Sequence, residues 1–327
     1  MTAAGNKSVV AVAGATGFVG RAVCSALVAA GHPVRALVRD AEKARRVLPE
    51  GIETVQAERI GPDACRELAQ GADAGVYAVG ILRETGPGQR FKLLHVEGVR
   101  WFCEALRAAG ATRVAHVSAL GADPEGRAEY QRSKHRGEAI VRSSRLGWTI
   151  FRPSLVHGAS GEFTRMAAEW ARGKRPPFFV MPYFTRRADD RWSLEPGALK
   201  DPVVAPIHVD DLASAIVRSL SDEQTVGEVI NAVGPQTLAW PDLLTMVRDR
   251  VKHASKGIQP GGVPAPPAHA LATALQFVGL GQFLPFDAGM ASMASEDSVA
   301  SLAKWRSLYD GEPRAFEASF AEYAGVL

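Results

Sequence analysis

A chain of 327 residues, 46% apolar and 22% charged, is long enough to bury a full core and to exceed one compact unit. Its net charge of +3, with no basic helix face interleaved with aromatics, argues against nucleic acid as a partner. Cys24, Cys65 and Cys103 lie far apart without metal spacing or disulfide parity, so no metal site is expected and the thiols read as core residues of a reducing compartment.

Met1 to Lys7 is polar and lacks the apolar centre of a signal peptide, and no unbroken run reaches a spanning length. A cytoplasmic location is the expectation. Val9 to Ala13 is a short β-branched run, the pattern of a strand buried on both faces. Gly14, Gly17 and Gly20 follow in G-x-x-G-x-x-G spacing, then a helix with Val19, Val23, Ala26 and Leu27 on one face, ending at Gly31. Pro33 to Val38 is the second strand. In this setting one glycine turns the chain, one admits a pyrophosphate to backbone N–H groups, and one lets helix and strand pack closely. The positive end of the helix faces the phosphates.

The stretch GATGFVG resembles the short-chain dehydrogenase/reductase superfamily, in its extended and atypical branches. NAD binders usually end the second strand with an acid that holds the ribose diol. Aligned on the superfamily pattern that place is Val38, and Arg39 follows it. A guanidinium pairs with a 2′-phosphate instead. Lys43 and Arg45 add positive charge and Asp40 opposes it. NADP(H) is therefore expected, with NAD(H) as the alternative.

Further along, 41–48 reads as a helix, 52–56 as a third strand with Glu58 near the superfamily's adenine-contacting position, 63–70 as a helix capped by Gly71, and 74–79 as a fourth strand. Val79 and Gly80 lead into the stretch where the superfamily lines its cofactor. A long helix is expected over 91–109, a fifth strand over 113–118, a helix over 130–144 and a sixth strand over 148–152 ending in Pro153. Such alternation implies a doubly wound parallel sheet, a Rossmann α/β fold, with ligand at the strand C-terminal ends. Past Pro153 the texture changes. A helix over 163–172 precedes the Pro- and Arg-rich stretch 174–204, which with 83–91 is expected to shape a substrate pocket as loops. A strand and helix over 207–220, a strand over 229–232 and a helix over 240–250 follow. The expected division is a dinucleotide-binding domain of 1–155 plus 203–232 and a smaller, interleaved C-terminal lobe of 156–202 plus 233–327. The uncharged run 263–286, broken by proline and glycine, allows about three helical turns. It is expected to pack on its own lobe, with docking on a membrane or a partner as the alternative.

Tyr130 and Lys134 form Tyr-x-x-x-Lys on one helical face. A neighbouring cation is expected to pull the phenol toward working range, and the lysine can also hold a nicotinamide ribose. Ser118, ending the fifth strand, is placed to bond a substrate oxygen. Two features depart from the extended superfamily: the short spacer from Ser118 to Tyr130, and His95 where an Asn is common. VGILRE, LLHVEG, HVSALGAD, YQRSKHRGE and FRPSLVHG occur in this order in one atypical branch, which resembles the NADPH-binding accessory subunit of respiratory complex I and its bacterial relatives. The resemblance implies cofactor-site roles for Gly14, Thr16, Gly17, Phe18, Val19, Gly20, Arg39, Val79, Gly80, Ser118, Tyr130 and Lys134, with Pro153 flanking the nicotinamide. The leading expectation is an NADP(H)-dependent oxidoreductase acting on a small or lipid-like carbonyl or alcohol through Ser118, Tyr130 and Lys134. The alternatives are a non-catalytic NADPH-binding subunit attached to a respiratory, membrane-associated assembly, peripheral at the inner membrane face, and a sugar-nucleotide epimerase or dehydratase.

Overall fold

The computed structural model describes residues 8–189, 198–277 and 287–327. Strands form at Val10–Ala13 (β1), Val34–Val38 (β2), Glu53–Gln56 (β3), Ala74–Tyr77 (β4), Arg113–Val117 (β5) and Gly147–Pro153 (β6). Shorter or later strands are Val156–His157 (β7), Val180–Arg187 (β8), Leu199–Lys200 (β9), Val203–Val204 (β10), Ile207–His208 (β11), Glu228–Ala232 (β12), Leu238–Ala239 (β13) and Gln259–Pro264 (β14). The helices are Phe18–Ala29 (α1), Ala41–Val47 (α2), Pro62–Ala69 (α3), Gly98–Ala108 (α4), Glu129–Arg142 (α5), Glu162–Ala171 (α6), Val209–Ser219 (α7), Trp240–Arg250 (α8), Ala265–Phe277 (α9), Ala288–Ala294 (α10), Ala303–Leu308 (α11) and Phe316–Tyr323 (α12).

Seven strands pair in the order β12-β6-β5-β4-β1-β2-β3, every neighbour parallel. Their sequences explain the two-sided cover. Along β1, Val10 and Val12 enter one core with Val23 and Leu27 of α1 and Leu212 and Ile216 of α7. Ala11 and Ala13 enter the opposite core, with Leu68 of α3 and Phe102 and Leu106 of α4. Side chains alternate across a strand, so a run that is apolar at every position must be covered on both faces. Gly75 in β4 admits Leu106 and Phe102, since a Cβ there would lie 2.5 Å from Leu106 Cδ1. Cys24, Cys65 and Cys103 are all buried and unpaired, and burial pushes each thiol up to about 12.

A third core joins Trp170 of α6, Met181 of β8, Leu243 and Val247 of α8 and Phe316 and Phe320 of α12. Here the structure corrects the sequence reading. The stretch 174–204 is not simply a loop: β8 occupies eight residues of it and pairs in parallel with β14. Pro182 in one strand and Pro260, Gly261 and Gly262 in the other hide the alternation, and the partner strand is remote in sequence. The strand expected at 207 is two residues long and pairs with β7, outside the main sheet. The helix expected over 91–109 opens with a π-helical turn, Lys92–Glu97, before α4 begins. Of the apolar run 263–286, α9 is described; 278–286 lie outside the described residues, as do Met1–Lys7 and 190–197 of the stretch 174–204. Among the described residues no helix is long and apolar enough to cross a membrane.

Candidate active site

The turn between β1 and α1 depends on its glycines at two points. Gly14 has φ +89°, and a Cβ there would stand 2.7 Å from the carbonyl carbon of Ala78, where the chain leaves β4. A Cβ on Gly20 would lie 2.0 Å from the Gly14 oxygen, so the first turn of α1 is pressed onto the loop. Gly17 N–H bonds the Gly14 oxygen at 3.0 Å, and Gly17 caps α1 without a side-chain hydrogen bond. No acid stands in the first turn of α1. The helix end therefore keeps its partial positive charge and uncapped N–H groups, a cradle that fits a diphosphate. Thr16, Phe18 and Val19 are half-buried around it, with the Phe18 ring close to Gly158 and Gly161 at the start of α6.

Arg39 follows β2 directly, exposed and without an ion pair among the described residues. Asp40 does not neutralise it. Its carboxylate accepts from Lys43 N–H at 2.9 Å and caps α2. Glu42 likewise engages Arg45. Glu58 is exposed just beyond β3.

At the C-terminal ends of β4, β5 and β6 the predicted polar residues converge on α5. Lys134 is buried, and its Nζ donates to the Val117 oxygen at 3.1 Å. A Cβ on Gly80 would lie 3.2 Å from that Nζ, so the missing side chain makes room for the ammonium. Tyr130 is half-buried, its ring edge-on to His95 at 5.5 Å and Phe91 at 6.0 Å, with Lys134 Nζ 5.9 Å from its centroid. Burial pushes the Tyr130 phenol up to about 12. Lys134 is pulled down to about 8 by burial, with the Glu138 charge opposing. This corrects the expected electrostatics: desolvation outweighs the cation's pull on the phenol and instead weakens the cation's own hold on its proton.

His95, which replaces the common Asn, is buried in the π-helical turn. Its Nε2 accepts from Ile81 N–H at 3.2 Å, so the ring proton must sit on Nδ1. Nδ1–H donates to Ser133 Oγ at 2.9 Å, and Ser133 Oγ donates to the Tyr130 carbonyl at 2.8 Å. Burial first, then Lys134 and His116, lower His95 to about 2, so the ring is neutral. The chain of bonds ties the exit of β4 to the turn of α5 that carries Tyr130.

Ser118 stands at the end of β5 as expected, but its Oγ donates to Glu138 Oε1 at 2.6 Å. Glu138 is fully buried and accepts two further bonds from Arg152, both at 2.7 Å, and one from Arg142 at 3.0 Å. Ser118 Oγ keeps its lone pairs but has committed its proton. Glu138, Arg152 and Ser133 are hydrogen-bonded neighbours of these residues that the sequence reading missed. Glu138 was within reach: it sits four residues beyond Lys134, on the same face of α5. Pro153, the last residue of β6, accepts from Leu120 N–H at 2.9 Å and so fixes the loop after Ser118.

Beside this cluster opens a cavity of about 550 Å³. The loop after β5 (Gly121, Asp123, Glu125, Gly126, Arg127), Gln131, Arg152, Arg186, Arg187, Pro266 and Glu296 line it. Ser118, Tyr130 and Lys134 are not among its walls, although Gln131 and Arg152 adjoin Tyr130 and Pro153. No cluster of metal-binding side chains occurs among the described residues.

Comparison with known proteins adds to this geometry. An NAD(P)H-binding family matches residues 14–169. The ceramide reductase of Caulobacter vibrioides is 32% identical over 212 residues, 64% of this chain and 60% of that protein. The mitochondrial 40 kDa subunit of the Neurospora crassa NADH-ubiquinone oxidoreductase is 26% identical over 243 residues, 72% of this chain and 58% of the subunit. The chain thus spans about three fifths of the length of these two relatives. Among solved structures, Citrobacter sp. triphenylmethane reductase complexed with NADP(H) superposes with a TM-score of 0.68 at 17% identity, covering 97% of this chain and all of the other; this likeness is one of fold.

Proposed function

We propose that the chain, with an NAD(P)H-binding region over residues 14–169 and a fit to the extended, atypical short-chain dehydrogenase/reductase superfamily, is an NADP(H)-dependent reductase of a small or lipid-like carbonyl compound. The observation that carries the reading is the pairing of a neutral, half-buried Tyr130 with a buried Lys134 at the strand ends, beside an uncapped glycine cradle. The cofactor fits the residues present. Backbone N–H groups of 16–19 would hold its diphosphate, Arg39 the 2′-phosphate, Val79, Gly80 and Pro153 its nicotinamide end, and Lys134 the ribose. Such a group, when bound, supplies a hydride.

Tyr130, protonated at neutral pH, is poised to donate its proton to the substrate oxygen as negative charge develops there. Lys134 stabilises the phenolate left behind. Ser118, its own proton held by Glu138, keeps the end of β5 fixed against α5 and can accept a bond from the hydroxyl of the alcohol product, not from the carbonyl oxygen. From the expected C-terminal lobe, Arg186, Arg187, Pro266 and Glu296 would form the far wall of the substrate site. The charged lining of the cavity favours a substrate with a polar end over a wholly apolar one. The similarity to a ceramide reductase supports reduction, and the similarity to a respiratory-complex subunit favours a second reading, cofactor binding without turnover inside a larger assembly.

Replacing Tyr130 by Phe tests the choice. Turnover with any reducible substrate is expected to fall by about 10²- to 10⁴-fold while NADPH titrates as in the parent. Unchanged turnover removes the phenol from the mechanism. An NADPH complex that reduces none of a panel of ketones, quinones and lipid carbonyls favours the subunit reading.

A further inference from the structure

The edge of the third core remote from the cleft presents a surface that the cofactor chemistry leaves unused. Phe178 is 58% exposed and Phe179 78%, adjacent on the turn that leads into β8. Both rings are largely open to solvent. The turn is held from below. Trp170 Nε1 donates to the Pro176 carbonyl at 2.9 Å, Val180 pairs with Gln259, and Gly173 sits against Ile258. Two other segments close around it. Ser255 N–H bonds the Ala171 oxygen at 2.7 Å and Arg172 Nε bonds the Lys252 oxygen at 2.9 Å, bringing 252–258 alongside. Arg172 also reaches the Leu327 oxygen, which places Val326, 80% exposed, on the same edge.

Three lysines on this edge carry unmatched charge. Lys174, Lys252 and Lys256 are exposed and have no ion-pair partner among the described residues. Arg175 is matched by Glu169 at 3.1 Å, so that acid is already engaged. Adjacent exposed aromatics with exposed, unpaired lysines on the same edge are the arrangement that enters a lipid headgroup layer: rings at the level of the acyl boundary, ammonium groups among the phosphates.

We propose that the surface formed by Phe178, Phe179, Val326, Lys174, Lys252 and Lys256 docks the protein on an anionic lipid bilayer. The dock is distinct from the apolar run 263–286 and does not depend on whether the protein turns over. At about 3.3 Å per residue, β8 carries the chain roughly 25 Å from this turn to Arg186 and Arg187 at the cavity, so docking leaves that cavity clear of the bilayer.

The test is sedimentation of the full chain with vesicles of phosphatidylcholine alone or with about a third phosphatidylglycerol. Binding at least about tenfold tighter to the anionic vesicles, weakening as salt rises, is expected. The double variant Phe178→Ser with Phe179→Ser should bind at least about tenfold more weakly, and Lys174→Glu or Lys256→Glu each about fivefold or more. NADPH titration should be unchanged in all of them, which separates lost docking from lost fold. No vesicle binding, equal binding to both vesicle types, or binding indifferent to the phenylalanines overturns the proposal. Binding of polyglutamate through the same lysines without vesicle binding also overturns it, in favour of an acidic protein partner.

Discussion

Replacing Glu138 by Leu strikes the bond network on which the site geometry rests, and its cost can be worked from the contacts. The Glu138 side chain is 1% exposed, that of Arg152 25% and that of Arg142 42%. The Arg142 contribution is small because water screens it. What remains is the bond from Ser118 and the paired bonds from Arg152, each set worth about 1.5–3 kcal/mol with an ionised partner. Leucine leaves Arg152 confined beside an apolar group, so the loss should be about 3–5 kcal/mol, the range for a buried pair broken from one side. For a chain of this length unfolding in one step, an entropy of about 2.1 cal/mol/K per residue makes that a fall of about 4–7 °C in Tm. Urea unfolding followed by circular dichroism reads it directly. Adding Arg152→Met should recover at least half, because the stranded charge is then gone. A single variant within about 1 kcal/mol of the parent, or a double variant that costs the sum of the singles, would refute the reasoning.

Arg39→Ser should weaken NADPH binding about tenfold and leave NADH binding unchanged, by fluorescence titration; equal effects on both cofactors would place the guanidinium away from the 2′-phosphate. Lys134 is lowered from 10.5 to about 8, so its charge is present below that pH and lost above it. Turnover should accordingly decline as pH rises through about 8, and Lys134→Arg should abolish that limb of the pH–rate profile. The same shift means that between about 8 and 10.5 the unfolded chain holds this proton longer than the folded one. The Lys134 contribution to stability therefore rises with pH across that window, and a parent-minus-Lys134→Met difference in Tm should show it. Gly20→Ala drives a Cβ to 2.0 Å from the Gly14 oxygen, and dinucleotide binding should fall more than about tenfold as the turn is displaced; wild-type affinity would show that the loop yields without cost.

The parts of the fold legible in the sequence are those written locally. The β1 run, the glycine spacing and the Gly31 cap each declare themselves within a few residues, and the Tyr130–Lys134 pair needs only the helical repeat. The parallel sense of the sheet follows from alternation of strand and helix; its order does not. The parts that were not legible are set by remote partners. β8 and β14 acquire strand geometry from one another, against prolines and glycines in their own sequences. The π-helical turn holds His95 against Ile81 and Ser133, contacts that no local pattern encodes. Ser118 was placed correctly at a strand end, but its hydroxyl is directed by an acid twenty residues further on. Proximity of Lys134 predicts a lowered phenol, whereas burial of the ring sets the direction of the net shift.

The burial of Cys24, Cys65 and Cys103, with thiols near 12, has a practical outcome. Thiolates add to maleimides, and these sulfurs scarcely form thiolates in the native protein. A cysteine engineered at any exposed position would thus take a fluorophore or spin label almost without background. Distances across the cavity beside Arg152, and whether Phe178 and Phe179 enter a lipid layer at all, could then be read on a chain that keeps all its natural sulfurs.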